Sequence, residues 1–167
     1  QTSAGHPFFV QVSHYAMHLD IYYLEESLKE VRNWKKGKKH SMPEFAAMTS
    51  DVDTGIGLLI DKIHELGIEN ETYVFFLSDN GGRTGIPGQE DPEIHRNDPL
   101  RDGKGSVYEG GVRVPFIVIG PNIENQGISH VPVTGLDILP TIADLVGYGK
   151  PLPKALDGGS LKSVLNN

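Results

Sequence analysis

The sequence has no cysteine. Within these residues that excludes a disulfide framework, a thiolate metal site and a cysteine nucleophile, and it leaves the compartment open. No run approaches the roughly 20 apolar residues of a membrane-spanning helix. Basic charge is not in excess either: 15 Lys and Arg stand against 22 Asp and Glu, a net charge of −7. That balance argues against nucleic acid as a partner, since a binder needs a basic face. Any anion must therefore be held by a local cationic pocket. There is no internal repeat. The opening Gln1-Thr2-Ser3-Ala4-Gly5 has neither an initiating Met nor the pattern of a signal peptide, and an apolar stretch follows almost at once. The chain reads as a piece of something longer.

What is present suits one globular domain. A length of 167 residues is near the usual domain size, and a hydrophobic share of 38% is enough for a core. The charged share of 22% is ordinary, so disorder is not the reading. Phe8-Phe9-Val10-Gln11-Val12 reads as a buried strand ending in a stretch with His14 and His18. Residues 21–40 lack a clear period and close on a basic linker from Arg32 to His40. Phe45, Met48, Val52, Ile56, Leu59, Ile63 and Leu66 recur at spacings of three and four and predict a long helix. Pro43 and Glu44 suit its first turn and Gly67 its C-cap. Gly55 and Gly57 inside it point to close packing on a sheet, since each costs about 1 kcal/mol against Ala. Thr72–Leu77 and Val114–Ile119 read as buried strands around a long loop, 78–114. Val131-Pro132-Val133 reads as a short strand, Asp137–Val146 as a helix capped by Gly147, and Asp157-Gly158-Gly159-Ser160-Leu161 as the opening of a last short helix. This order predicts an α/β fold with a mostly parallel sheet flanked by helices.

In such folds ligands bind beyond the carboxyl ends of the strands. One predicted strand ends at Ser78-Asp79-Asn80-Gly81-Gly82. A carboxylate beside a carboxamide offers hard oxygens suited to Ca²⁺ or Mg²⁺, and the glycines permit a tight turn and close approach. Taken alone, the same residues equally make an Asx-rich turn. Lys104, between Gly103 and Gly105, carries a compact charge suited to phosphate or sulfate oxygens; alone it reads as a solvated loop lysine. Glu109 and Arg113 read as a structural ion pair. His18 is a candidate donor or general acid near a leaving group. The remaining histidines and the Arg32–His40 run read as solvated surface.

Taken in order, these segments resemble the second half of the sulfatase family, within the alkaline-phosphatase-like superfamily. The resemblance runs from Pro7 to about Leu161. It rests on the strand leading to His18, on Leu77-Ser78-Asp79-Asn80-Gly81-Gly82, on Pro99-Leu100-Arg101-Asp102-Gly103-Lys104-Gly105, and on Tyr108-Glu109-Gly110-Gly111-Val112-Arg113-Val114-Pro115. Leu136-Asp137-Ile138-Leu139-Pro140-Thr141 and Asp157-Gly158-Gly159-Ser160-Leu161 complete it. Each motif is weak alone; six in order are specific. The resemblance implies that Asp79 and Asn80 are two ligands of a calcium ion, less often magnesium. It implies that Lys104 holds the sulfate oxygens and that His18 contacts the ester oxygen or the leaving group. Met17 and Asp20 depart from the prolines that usually flank that histidine.

Family members carry their nucleophile, a formylglycine made inside a C/S-x-P-x-R motif, in an N-terminal half that also supplies further metal ligands. No such motif occurs here. The expectation is a partial sulfatase domain whose parent hydrolyses sulfate monoesters of a small molecule or glycan, and which is inactive alone. The alternatives are a phosphatase or phosphonate hydrolase of the same superfamily and a non-catalytic sulfatase-like binding protein. Specificity is expected in the loops, above all 83–100. A missing half would leave a sheet face or edge uncovered and favour self-association. The segment carries no address; family habit leans towards a periplasmic or secreted location.

Overall fold

The structure, a computed structural model, describes residues 6–37, 42–86, 96–123 and 127–166. Gln1–Gly5, the linker residues Lys38–His40, and the part of the expected specificity loop that includes His95 lie outside the described residues. The chain divides into two compact units, residues 1–62 and 63–167.

In the first unit α1 (Glu25–Val31) packs against the start of α2 (Pro43–Glu65). Leu28, Val31 and Ala47 are buried together, with Tyr23 and Ala46 against them. No side chain of α1 caps its own N-terminus. Asp51, in α2, does this from 27 residues away: it accepts the Leu24 N–H at 2.8 Å and the Ser27 hydroxyl. A carboxylate there satisfies an orphan amide and complements the helix dipole. Arg32 and Glu44 add an ion pair at 3.5 Å.

The 23 residues of α2 begin at Pro43, as the sequence predicts. The helix ends in the expected glycine cap. Gly67 takes φ +64°, with the Gly67 N–H on the His64 carbonyl and the Ile68 N–H on the Ile63 carbonyl, the pairing of a Schellman motif. The reading of Gly55 and Gly57 is corrected. A methyl on Gly57 would meet nothing within 4 Å, and one on Gly55 only His14 Nε2 at 3.8 Å. The Phe8–Val12 strand is also corrected. This segment forms no strand and leaves Phe9 72% and Val10 66% exposed. A β-prone run becomes a strand only when a neighbour supplies the ladder, and the first unit has no strand among its described residues.

In the second unit β1 (Val74–Leu77) pairs with β2 (Phe116–Ile119), Val74 opposite Ile119 and Leu77 opposite Phe116. The pairing is antiparallel, so the mostly parallel sheet expected from the element order is absent among the described residues. The loop between the strands supplies the reason. A parallel partner requires the chain to cross back to the starting end of the sheet. Residues 78–115 instead start and finish at one end, where the Ser78 N–H meets the Pro115 carbonyl at 3.4 Å. Among the described residues they hold only the four-residue α3 (Glu109–Val112). Val131–Val133 forms no strand either: Pro132 has no N–H to donate, and the sheet among the described residues consists of β1 and β2 alone.

A short 3₁₀ turn, Gly135–Asp137, leads into α4 (Ile138–Leu145). Thr134 and Asp137 form a capping box, Pro140 sits in the first turn and Gly147 ends the helix at φ +67°. The segment before α5 (Lys162–Leu165) is latched onto α4. Asp137 Oδ1 accepts the Gly159 N–H at 2.8 Å. The fully buried Thr141 donates its hydroxyl to the Asp137 carbonyl at 2.6 Å and accepts the Leu161 N–H at 2.8 Å. Ser160 donates to Asp144, which also pairs with Lys162 at 3.3 Å. A Cβ on Gly158 would lie 2.1 Å from the Leu136 carbonyl oxygen. No helix among the described residues is long and apolar enough to cross a membrane.

Two outcomes are expected of the latch. Thr141→Val keeps the shape but orphans the Leu161 N–H, so it lowers unfolding free energy in urea by about 1–3 kcal/mol. The Asp137 carboxyl is held below the usual carboxylate range by the Gly159 N–H and then the Thr134 N–H. A group whose folded pKa is lowered stabilises above its unfolded value, and that contribution is lost as pH falls through the folded value. The stability gap between the wild type and Asp137→Asn should therefore shrink below about pH 4, as urea midpoints across pH would show.

Candidate functional site

At the end of β1 the Ser78 hydroxyl donates to the Asn80 carbonyl at 2.8 Å, closing a turn around Asp79. The Gly81 N–H then donates to the Gly111 carbonyl at 2.9 Å. The Gly82 carbonyl accepts both the Lys104 N–H and Asn97 Nδ2 at 2.9 Å. Asn97 Nδ2 also reaches the Asp102 carbonyl at 2.9 Å, and the Gly110 N–H reaches the Arg101 carbonyl at 2.8 Å. Three segments, 78–82, 97–105 and 108–111, are thus laced together chiefly through their backbones.

Glycine is what permits this. A Cβ on Gly81 would sit 1.8 Å from the Gly110 carbonyl oxygen, one on Gly110 2.1 Å from that of Asp102, and one on Gly111 2.1 Å from that of Ser106. On Gly103 it would lie 2.4 Å from the Gly82 carbonyl oxygen. Real Cβ atoms do not approach so closely, so the three loops nest only because these positions lack one. Between them Asp102 takes φ +65° and uses its own Oδ1 to accept the Gly103 N–H at 2.9 Å, a local bond that suits Asp to this conformation.

The frame fixes the backbone of the sequence-predicted residues and leaves their side chains out. Asp79 and Lys104 are exposed and Asn80 half-buried. The Lys104 ammonium forms no ion pair with a described residue. The Asp79 carboxylate and the Asn80 amide are likewise without a hydrogen-bond partner among the described residues. The structure brings Asp79, Asn80 and Lys104 onto one backbone scaffold, through the bond from the Lys104 N–H to the Gly82 carbonyl. Asp79 and Asn80 offer two adjacent hard oxygens, a fit for part of a calcium shell, which takes six to eight. No group of three or more His, Asp or Glu gathers around a point among the described residues.

His18 belongs to the first unit, the other three to the second. It is exposed, and its ring lies 5.5 Å from that of Tyr15, tilted by 60°. Its Nδ1 is 2.8 Å from the Leu19 carbonyl oxygen, which also accepts the Tyr15 hydroxyl. A carbonyl only accepts, so Nδ1 carries a hydrogen. Nε2 is then an acceptor in the neutral ring and a donor in the imidazolium.

Glu109 and Arg113 form the expected ion pair, at 3.2 Å across one helical turn. Sequence reasoning missed Asn97, whose amide clasps two loops, and the stack of Arg101 on Tyr108, with Cζ 3.6 Å from the ring centroid. No periodicity marks either one. The Asn97-Asp98-Pro99 sequence was the available signal, as a turn in which an amide could bond locally.

The family described as Sulfatase matches residues 1–148. Among curated proteins, a sulfatase of Formosa agariphila is 33% identical across 99% of this chain and 31% of its own length. An arylsulfatase of Hemicentrotus pulcherrimus is 32% identical across 95% of the chain and 26% of its own length. Human arylsulfatase A is 38% identical across 72% and 23%, respectively. Among solved structures, Ps i-CgsB superposes with a TM-score of 0.74 at 31% identity, over 91% of this chain and 32% of that one. Its complex with k-i-k-neocarrahexaose gives 0.71 at 32% identity, over 87% and 30%. The chain thus spans about a third or less of the length of these relatives.

The glycine frame makes its own prediction. Gly81→Ala and Gly110→Ala should each lower stability by about 1–3 kcal/mol or more, as overpacking does, with a lower urea midpoint as the measure. Gly57→Ala, in the open on α2, is the control and should leave stability unchanged or raise it by up to about 1 kcal/mol.

Proposed function

The chain belongs to the sulfatase family, and from that membership we propose that it forms the sulfate-holding and part of the metal-holding portion of a sulfuric ester hydrolase. One observation carries this reading. The backbone frame at the end of β1 presents two oxygen donors, Asp79 and Asn80, and one cation, Lys104, with their side chains uncommitted to any described residue. The parent chain is longer and supplies the formylglycine and the other metal ligands. The exposed apolar side chains, among them Phe9, Val10, Leu58 and Ile117, support this, since a two-stranded sheet is marginal alone and such surface is normally covered. Left alone, the chain self-associates through it.

Within this reading Asp79 and Asn80 hold calcium, or magnesium, which when bound supplies positive charge against the sulfate oxygens. The formylglycine of the parent supplies the nucleophile. Lys104 contributes a point charge on a backbone that the Gly82 carbonyl fixes, so it binds sulfate oxygens and offsets the negative charge that builds as the ester bond breaks. His18, with Nδ1 committed to the Leu19 carbonyl, serves the leaving oxygen through Nε2. It can donate a proton there only as the imidazolium. The substrate is a sulfate monoester.

In the full-length protein, Lys104→Ala should lower turnover of 4-nitrophenyl sulfate about 100-fold or more; a near-normal rate would remove Lys104 from the site. Asp79→Ala should strip calcium, read by elemental analysis of the purified protein. The isolated 167-residue chain should show no turnover, and measurable sulfatase activity from it would contradict the shared-site reading.

A further inference from the structure

The Gly82 carbonyl is where the loop that ends β1 meets the loop that carries Lys104. It accepts the Lys104 N–H and Asn97 Nδ2, each at 2.9 Å, so both of its lone pairs are used. The same Nδ2 also donates to the Asp102 carbonyl at 2.9 Å. One side-chain amide therefore uses both of its hydrogens, one on each loop. Gly82 follows Asn80 by two residues, and Asp102 precedes Lys104 by two. The two hydrogens of an amide nitrogen are fixed in its plane, so the carbonyls are held at a set angle as well as a set distance.

The surroundings are shaped to this amide. A Cβ on Gly82 would sit 2.7 Å from Asn97 Oδ1, and one on Gly103 2.7 Å from Asn97 Nδ2. The amide thus lies against two bare glycine Cα positions, one from each loop. Asn97 is itself anchored, since its own carbonyl accepts the Leu100 N–H at 2.8 Å and the residue is half-buried. The two loops differ in what else fixes them. Residues 78–82 continue β1, and the Gly81 N–H is bonded to the Gly111 carbonyl at 2.9 Å. Lys104 meets them through one bond, from its own N–H. A single hydrogen bond is a hinge, and about it a four-carbon side chain would sweep its ammonium through a wide arc. The bond from Asn97 to Asp102 adds a second point of attachment and stops that rotation.

We propose that Asn97 is a positioning residue: its amide fixes the Lys104 backbone against the loop of Asp79 and Asn80, and so sets where the ammonium stands relative to the metal-holding pair. The inference rests on the sulfate-holding reading of Lys104 above. Asn97 touches neither sulfate nor metal and acts through the lysine. A point charge stabilises developing charge only from a preorganised place, and a misplacement of about 1 Å can cost about 100-fold in rate. Asn97→Asp is the sharpest probe, because it keeps the shape and inverts the chemistry. The carboxylate has only acceptors, and they face the Gly82 and Asp102 carbonyls. Once protonated it regains one O–H donor and with it one of the two bonds. The competing role for Asn97 is a general prop for the fold, which would weaken metal binding and turnover alike.

The test uses the full-length protein as wild type, Asn97→Asp, Lys104→Ala and the double variant, with 4-nitrophenyl sulfate as substrate. At neutral pH Asn97→Asp should lower kcat about 10–100-fold, while calcium content by elemental analysis stays at the wild-type level. The ratio of wild-type to variant rate should narrow as pH falls and the new carboxyl takes up its proton. In the Lys104→Ala background the same substitution should cost no more than about twofold, because its effect runs through the lysine. By hydrogen exchange, the Lys104 amide should open at least about tenfold faster in Asn97→Asp than in the wild type. Asn97→Ala carries the double-variant and exchange comparisons if Asn97→Asp does not fold. Equal losses with and without Lys104, or loss of calcium along with rate, would make Asn97 a structural prop and overturn the proposal. Unchanged exchange at Lys104 would overturn it as well. Failure of the underlying reading looks different: Lys104→Ala would itself leave turnover near normal, and faster exchange at Lys104 would still uphold Asn97 as the clasp of that loop.

Discussion

Backbone resting on backbone is the constraint from which the site follows. Gly81, Gly103, Gly110 and Gly111 bring three loops so close that main-chain carbonyl oxygens occupy the places where side chains would begin. The exchange is local: each glycine carries more unfolded-state entropy than another residue would, and in return peptide groups bond directly across loops that have no sheet to order them. What results is stiff at the backbone and uncommitted at the side chains. That division suits a site in which a cation and two oxygen donors are held for something other than each other.

The second unit organises itself around one end of its small sheet. Because the 78–115 segment leaves and re-enters there, the antiparallel pair and the nested loops are one device: the strands fix where the loops start and finish, and the glycines fix how they fold between. Elsewhere in the unit, the Asp137, Thr141 and Asp144 side chains tie the C-terminal segment to α4 through polar bonds. Two of the six segments that mark the family are this latch, so they report on architecture rather than on chemistry. The first unit is simpler, a helix pair whose entry is capped by a carboxylate from the partner helix.

Legibility in the sequence followed locality. The helix α2 was readable from its start at Pro43 to its glycine cap, because period, N-terminal chemistry and αL glycine are all written within a few residues. Asp79, Asn80 and Lys104 were readable as an unusual set, and Gly81 and Gly82 as places of close approach. The roles of Gly110 and Gly111 were not, since what they touch lies five or more residues away and depends on the whole loop path. Strand direction failed for the same reason: Val74–Leu77 and Phe116–Ile119 have the look of parallel strands, but direction is decided by the return route. Phe8–Val12 was misread because β-propensity describes a surface that fits a sheet, whereas the sheet itself must come from elsewhere.

The contact that orients His18 has a further meaning. The Leu19 carbonyl receives both the imidazole Nδ1 and the Tyr15 hydroxyl, so the group that sets the tautomer belongs to the main chain. Any residue at position 19 brings the same oxygen. Aligning side-chain identities would therefore register nothing at this position, even though an atom essential to the histidine's orientation resides there. The chemistry of the imidazole is inherited from the path of the polypeptide, and a change of loop geometry could retune it without altering a single polar residue.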